Sequence, residues 1–134
     1  MLSTLEEANK SVVRRFNKEF VEDGNAAVFE ELVSADFCNH EAPPGETGRD
    51  PARFFFLQMF RTAFPDVKVN IHDMYADGDA VITRKSYVGT HAAPFMNFPP
   101  SGKKVEIPVI EIVTIRDGKY VDHWAVTNFF ALMQ

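Results

Sequence analysis

The chain has 134 residues, with 14 Lys and Arg against 19 Asp and Glu, for a formal net charge of −5. This length predicts a single domain over 1–134. The acidic balance argues against a nucleic-acid partner, and the longest apolar run, 129–133, is far short of the ~20 residues of a membrane span. One cysteine, Cys38, excludes an internal disulfide and a cysteine-based zinc site, and with no signal-peptide pattern it predicts a cytoplasmic location.

The N-terminal part of the chain predicts a long amphipathic helix. Ser3 and Thr4 are capping-box candidates, because Glu6 and Glu7 follow them at three residues. The helix should end at 23–25, where Asp-Gly-Asn breaks the pattern. Its inward face is predicted from apolar residues at steps of three and four: Leu5, Ala8, Val12, Val13, Phe16 and Phe20.

Two more helices and a loop are predicted before the middle of the chain. A short helix should turn Val28, Phe29, Leu32 and Val33 inward. Residues 38–49 hold two prolines and two glycines and predict a loop. Asp50 is the expected N-cap of the next helix, with Pro51 at its first position. This helix carries six apolar side chains and should stop before Pro65: Phe54, Phe55, Phe56, Leu57, Phe60 and Phe64.

The second half of the chain predicts strands. Four are expected, at 67–75, 80–91, 105–116 and 119–128. Asp117 and Gly118 are the strongest hairpin signal, since both tolerate the positive φ of a type I′ turn. Helices followed by an antiparallel meander define an α+β fold.

Glu111 is the sharpest anomaly, because it interrupts an otherwise apolar strand. Alternation places it on one face with Val109 and Val113, while Ile110 and Ile112 point the other way. A carboxylate on an apolar face is costly unless it is paired, hydrogen-bonded or protonated, which makes Glu111 a candidate site residue. The alternative is a structural carboxylate paired with a histidine or arginine.

Three of the four histidines lie at strand or loop ends: His40, His91 and His123. Together they favour a shared polar pocket, although each alone is equally compatible with a satisfied or exposed side chain. No short spacing among them supports a metal site. His72 lies in an alternating strand and is interpreted as a surface residue.

The order of short motifs resembles that of the SnoaL-like polyketide (ester) cyclases, in the nuclear-transport-factor-like superfamily. The segments that carry the resemblance are ADFCNH at 35–40, PPG at 43–45, AFPD at 63–66, GTH at 89–91, FPPSGKKV at 98–105, DGK at 117–119 and DHW at 122–124. The resemblance spans nearly the whole chain. It implies N-terminal helices packed on a strongly curved, mainly antiparallel sheet, an α+β barrel with a conical pocket.

The resemblance also implies a homodimer and an intramolecular aldol condensation that uses no metal or cofactor. Carried over by position, Asn39 and Glu111 would hold and polarise the substrate. The general acid/base aspartate of the family falls at Ala125, and a further acidic residue falls at Asn128. Neither position can move a proton here, so the family's chemistry cannot run unchanged.

The first hypothesis is an enzyme that transfers protons on a small apolar carbonyl compound. Glu111 would be the base, with a raised pKa, and Asn39, His40 and His91 would donate to the enolate oxygen. This hypothesis requires those four residues to converge on one cavity. The other predicted substrate contacts, partly drawn from the chain's 13 phenylalanines, are Phe16, Phe60, Tyr87, His123, Trp124 and Ala125.

Two alternatives remain open. The second hypothesis is a non-catalytic small-molecule-binding domain, which Ala125 and Asn128 favour and which an exposed or salt-bridged Glu111 would support. The third is a dehydratase with a His–Asp dyad formed by Asp36 and either His123 or His40.

Overall fold

The computed structural model describes residues 3–133. The elements are α1 (Thr4–Arg15), a π-helical segment (Phe16–Glu22), α2 (Ala26–Leu32), β1 (Val33–Asn39), α3 (Arg49–Phe54), a second π-helical segment (Phe55–Phe60), α4 (Arg61–Ala63), β2 (Lys68–Asp77), β3 (Ala80–Thr90), β4 (Lys104–Arg116), β5 (Lys119–Thr127) and a 3-10 turn (Phe130–Met133). Within this part of the chain, no helix is long and apolar enough to cross a membrane.

The first helix begins with the predicted capping box. Ser3 N–H donates to Glu6 Oε1 at 2.9 Å, and Glu6 N–H donates to Ser3 Oγ at 3.1 Å. The prediction of the inward face is wrong for its first two residues, because Leu5 and Ala8 are exposed. The buried stripe is instead Asn9, Val13, Phe16, Asn17, Phe20 and Val21. A π-helical turn holds more residues than an α-turn, so Phe16 and the adjacent Asn17 both face inward.

Strand β1 is a feature that the sequence pattern did not predict. It pairs in parallel with β5, with Val33 opposite Tyr120 and Asn39 opposite His123. Val33 therefore opens a strand rather than closing a helix, and Asn39 is a strand residue rather than part of the loop. Val33, Ala35 and Phe37 alternate with Ser34 and Asp36, but Val33 was assigned to the preceding helix and Cys38 to the following loop. The four residues left between them were too few to indicate a strand, and the pairing partner is distant in sequence.

The five strands form one mixed sheet in the order β1-β5-β4-β3-β2. The four predicted strands are confirmed within two residues at each end. The type I′ turn is confirmed by positive φ values of 53° at Asp117 and 75° at Gly118. The α+β class is therefore confirmed, but the barrel is not, because the sheet is open between its edge strands β1 and β2.

The helix after the loop starts slightly earlier than predicted. Its N-cap is Gly48, and Asp50 lies in the first turn. The helical stretch ends at Ala63, before Pro65, as expected. Phe54 is exposed rather than packed on the sheet. The buried rings of the helices cover the inner face of the sheet and form the core with it.

Candidate functional site

A cavity of about 40 Å³ lies between the helices and the inner face of the sheet. Its wall is apolar and mostly aromatic, with Phe16, Phe29, Val33, Phe37, Ala52 and Phe56. Its floor is polar, with Asn39, Lys85, Tyr87, Glu111, Tyr120 and His123. The space has the volume of a few water molecules at most, so a larger ligand must displace part of the wall.

The floor is built around a buried ion pair. Lys85 Nζ lies 2.6 Å from Glu111 Oε1, and the two side chains are 2% and 4% exposed. Lys85 also donates to Asn17 Oδ1 at 2.7 Å, and Asn17 in turn donates from Nδ2 to the carbonyl of Val13 at 2.9 Å. The inward turn of Asn17 in the first π-helical segment thus ties the helix to the floor.

His123 lies between two hydrogen-bond acceptors. Its Nε2 is 2.9 Å from Glu111 Oε2, and its Nδ1 is 3.2 Å from Asn39 Oδ1. The Asn39 oxygen also accepts the backbone N–H of Glu41 at 3.1 Å, which fixes the orientation of the amide. Because both neighbours of the ring are acceptors, the ring satisfies both contacts only by donating from each nitrogen.

The charge state of Glu111 differs from the sequence-based expectation. Burial by itself would raise the pKa of Glu111, but the charge of Lys85 and the hydrogen bond from His123 outweigh it and lower the pKa to about 2. Burial likewise acts to lower the pKa of Lys85, yet the Glu111 carboxylate raises it. The prediction that Glu111 is a base with a raised pKa is therefore wrong. Glu111 is a salt-bridged carboxylate that stays ionised.

Two tyrosines complete the floor. Tyr120 is 2% exposed, and its hydroxyl has no hydrogen-bond partner among the described residues. Burial, together with the nearby Glu111 carboxylate, raises the pKa of Tyr120 well above its usual value. Burial also raises the pKa of Tyr87. Both groups are therefore neutral hydroxyls, which can donate a hydrogen bond to an acceptor in the cavity.

Five of the ten residues predicted from the sequence line this cavity: Phe16, Asn39, Tyr87, Glu111 and His123. Asn39 and Glu111 meet through the ring of His123. The alternation predicted for β4 is also correct, since Glu111 is buried with Val109 and Val113, while Ile110 and Ile112 are exposed.

Two of the predicted residues lie on the outer face of the sheet. His40 stacks on Trp124, with ring centroids 4.4 Å apart and planes at 6°, and its Nε2 lies 2.9 Å from Asp122 Oδ1. Its Nδ1 is 3.8 Å from Cys38 Sγ. Neither His40 nor Trp124 borders the cavity, because residues 122 and 124 alternate with the inward-facing His123.

Three other predicted residues do not line the cavity. His91 is fully buried against the ring of Phe64, at 5.1 Å between centroids. Phe60 packs behind Tyr87 at 4.9 Å. Ala125 lies opposite Glu111 in the register of β4 and β5. The four-residue convergence that the enzyme hypothesis required does not occur, since His40 and His91 point elsewhere.

The dyad expected for a dehydratase does not form. Asp36 is exposed, while His40 pairs with Asp122 and His123 pairs with Glu111. His72 is exposed, as predicted. Over residues 3–133, no group of three or more His, Cys, Asp or Glu side chains is placed to hold a metal ion.

Lys85 and Tyr120 are site residues that sequence reasoning missed. Lys85 alternates with Val81, Thr83 and Tyr87, so its inward direction could have been predicted from the pattern of β3. Tyr120 and His123 share a face although they are three residues apart. A register irregularity in the β4–β5 pairing allows this, and no pattern in the sequence indicates it.

These features define an α+β protein with an aromatic-walled pocket over a charged floor. The family model of the SnoaL-like polyketide cyclases matches residues 11–134, and the chain belongs to this family. A search of curated proteins found no match.

Solved structures of this family share the fold over nearly the whole chain. A proposed SnoaL-like polyketide cyclase from Jannaschia sp. CCS1 is 27% identical, with a TM-score of 0.85 and coverage of 99% of this chain and 94% of that one. IdmH, a proposed polyketide cyclase from Streptomyces antibioticus, is 27% identical, with a TM-score of 0.80 and coverage of 93% and 95%. A proposed polyketide cyclase from Bacillus cereus ATCC 10987 is also 27% identical, with a TM-score of 0.81 and coverage of 99% and 83%.

Proposed function

We propose that this protein is a cyclase or isomerase that transfers protons on a small apolar carbonyl compound, with His123 as the side chain that exchanges the proton. The observation that carries the proposal is the position of His123, clamped between Glu111 and Asn39 at the floor of an aromatic pocket. Imidazole is the side chain best suited to take up and release a proton near neutral pH.

Glu111 takes the orienting role in this proposal. Because its carboxylate stays ionised, it holds a proton on Nε2 of His123 and leaves Nδ1 as the nitrogen that exchanges. This is the logic of a catalytic triad, in which an acid fixes the tautomer of a histidine. A bound substrate would displace Asn39 Oδ1 from Nδ1 and bring the C–H bond next to its carbonyl to that nitrogen.

The chemistry follows from proton transfer at Nδ1. The neutral nitrogen removes a proton from the carbon next to the substrate carbonyl, and the electron pair moves onto the oxygen to form an enolate. In an isomerase the proton returns to another carbon. In a cyclase the enolate carbon attacks a second carbonyl of the same molecule, and His123 protonates the new alkoxide. Neither route needs an acidic residue at position 125, where the family has an aspartate and this chain has Ala125.

A simple ketone tests the proposal without knowledge of the natural substrate. The α-protons of 2-tetralone exchange with D₂O, and proton NMR follows the loss of their signal. We expect the wild type to accelerate this exchange and His123→Gln to lose the acceleration by about 100-fold or more, the usual contribution of a general acid–base group. His72→Gln, at an exposed histidine of β2, is the matched control and should not change the rate. No acceleration by the wild type, or equal rates for His123→Gln, would remove His123 from the chemistry.

A non-catalytic binding domain is the second candidate. It is favoured by the ion pair of Glu111 with Lys85, which gives the carboxylate a structural role, and by the absence of a titratable group at Ala125. The same assay separates the two: a binding domain would hold 2-tetralone, detected by ligand NMR, but would leave its exchange rate at the buffer value.

We also propose that a second copy of the chain covers the outer face of the sheet. Ile110, Ile112, Trp124 and Val126 are exposed there and lie next to one another across β4 and β5. Such contiguous apolar surface is typical of an interface, and two copies of one patch meet most simply about a two-fold axis. This proposal agrees with the homodimer that the family resemblance implies.

The mass in solution tests the dimer. Light scattering should give about twice the chain mass of 15.2 kDa, and Ile112→Asp should give the monomer. Leu5→Asp, at an exposed apolar residue of α1, is the control that should stay dimeric. A monomeric wild type, or a dimeric Ile112→Asp variant, would contradict this interface.

The cytoplasmic location is likewise a proposal, which cell fractionation would test.

A further inference from the structure

The Tyr120 hydroxyl is the feature of the floor that the proposed function does not use. It is buried and borders the cavity, and among the described residues it has no hydrogen-bond partner. By contrast, the neighbouring Lys85 ammonium donates to Asn17 and pairs with Glu111. A buried hydroxyl without a partner is costly, so a ligand that brings an acceptor oxygen to it gains a strong contact.

The charges of the floor indicate which kind of oxygen fits. The carboxylate of Glu111 neutralises Lys85, and His123 adds a positive charge when both of its nitrogens donate. An acceptor that carries a negative charge therefore completes the balance, and hydrogen bonds to charged oxygens are the stronger ones. The only carboxylate among the lining residues is Glu111, which is already engaged by Lys85 and His123.

The wall indicates a flat ligand. Phe16 stacks on Tyr120, with centroids 4.4 Å apart, and Phe56 stands perpendicular to Phe16 at 6.3 Å. A cavity of about 40 Å³ takes the oxygen end of a ligand but not a ring. The ring must replace a wall side chain. Phe56, which is only half-buried, is the wall side chain that we expect the ring to displace.

We infer that the cavity binds the phenolate or enolate oxygen of a flat, unsaturated molecule, with Tyr120 O–H and His123 as its hydrogen-bond donors. The inference rests on the proposed function, since the enolate formed by proton removal is such an oxygen. It adds Tyr120 as the donor and names the ligand class.

Two probes of nearly equal shape test the inference. 4-Nitrophenol can bind as its yellow phenolate, whereas nitrobenzene has no acidic oxygen. We expect the wild type to bind 4-nitrophenol more tightly, with the absorbance of the phenolate form. Tyr120→Phe should weaken 4-nitrophenol about tenfold, the usual effect of one hydrogen bond to a charged group. It should leave nitrobenzene binding unchanged.

The control is Tyr75→Phe, at an exposed tyrosine of β2, which should bind both probes like the wild type. The inference would be overturned if the wild type bound neither probe, bound both equally tightly, or bound 4-nitrophenol as the neutral phenol. It would also be overturned if Tyr120→Phe weakened the binding of both probes equally. The outcome is separable from that of the proposed function. Phenolate binding without 2-tetralone exchange refutes catalysis alone, and exchange without any effect of Tyr120→Phe on phenolate binding refutes this inference alone.

Discussion

The ammonium of Lys85 and the carboxylate of Glu111 lie 2.6 Å apart on the inner face of neighbouring strands, where both are almost fully buried. Burying two charges is expensive, and the pair persists because each has further partners: Asn17 for Lys85 and His123 for Glu111. The pair keeps Glu111 ionised, and an ionised Glu111 is what orients His123. In the proposed function, the stability of the fold and the orientation of His123 therefore depend on the same contact.

Removal of one partner should be strongly destabilising. Lys85→Met leaves the Glu111 carboxylate buried without its cation, and breaking such pairs costs about 3–5 kcal/mol. Urea denaturation of the wild type and the variant measures the difference in the free energy of unfolding. Lys103→Met, at an exposed lysine, is the control and should change stability by less than about 0.5 kcal/mol.

Removal of both partners should cost less than the two single changes together. The Lys85→Met, Glu111→Leu double variant has no buried charge left unpaired, so it should regain much of the stability that Lys85→Met loses. Additive losses in this double-mutant cycle would mean that the two charges do not interact in the folded protein.

The same pair predicts how stability responds to acid. The pKa of Glu111 falls from 4.5 to about 2 on folding. A lowered pKa in the folded state contributes stability above the unfolded value, and that stability is lost as pH falls from about 4.5 towards about 2. The wild type should therefore lose stability in this window relative to the double variant, as followed by urea denaturation at each pH. A constant difference between the two proteins across the window would contradict the assignment.

The capping box at the start of α1 makes a local prediction. Ser3→Ala removes the side-chain acceptor for Glu6 N–H, and loss of an N-cap typically costs about 1 kcal/mol. Thermal unfolding should show a lower Tm for Ser3→Ala than for Thr4→Ala, which alters the other capping candidate in the sequence. A Tm equal in both variants would show that this cap does not contribute to stability.

Gly24 joins the first π-helical segment to α2 under two constraints. Its φ is +72°, and a Cβ there would lie 2.6 Å from Arg61 Nε. Arg61 donates to the carbonyls of Val21 and Glu22 at the end of that segment. Gly24→Ala should therefore cost more than the ~1–3 kcal/mol of backbone strain alone.

A second variant, Gly45→Ala, separates the effect of backbone strain from the effect of the collision with Arg61. Its φ is +86°, but nothing lies within 4 Å of an added Cβ. Gly45→Ala should show the strain alone in denaturant unfolding, so a loss as large as that of Gly24→Ala would argue against the collision with Arg61.

The sequence predicted the parts of the fold that depend on local pattern. Alternation located the four antiparallel strands and the inward direction of Glu111, and the positive φ of Asp117 and Gly118 followed from turn chemistry. Strand β1 was not predicted, because its parallel partner is distant in sequence and its short alternating run, 33–37, lies directly between a predicted helix and a predicted loop. Asn39 was still recognised as a candidate through the family resemblance, although it was assigned to a loop.

The sequence predicted which residues form the site better than it predicted what each of them does. Glu111 was correctly singled out as a carboxylate on an apolar strand face, but its pKa depends on Lys85, which belongs to another strand. Three histidines were expected to share a pocket, yet only His123 faces the cavity. Side-chain direction at strand ends depends on register and on irregular pairing, and neither is visible in a single sequence.

In the proposed function, Glu111 orients His123 rather than acting as the base. Nitrogen-15 NMR of the neutral His123 ring tests this orientation, because it identifies the ring nitrogen that carries the proton. We expect the wild type to carry the ring proton on Nε2, donated to Glu111. The Lys85→Met, Glu111→Leu variant should carry it on Nδ1, donated to Asn39. The same tautomer in both proteins would contradict the claim.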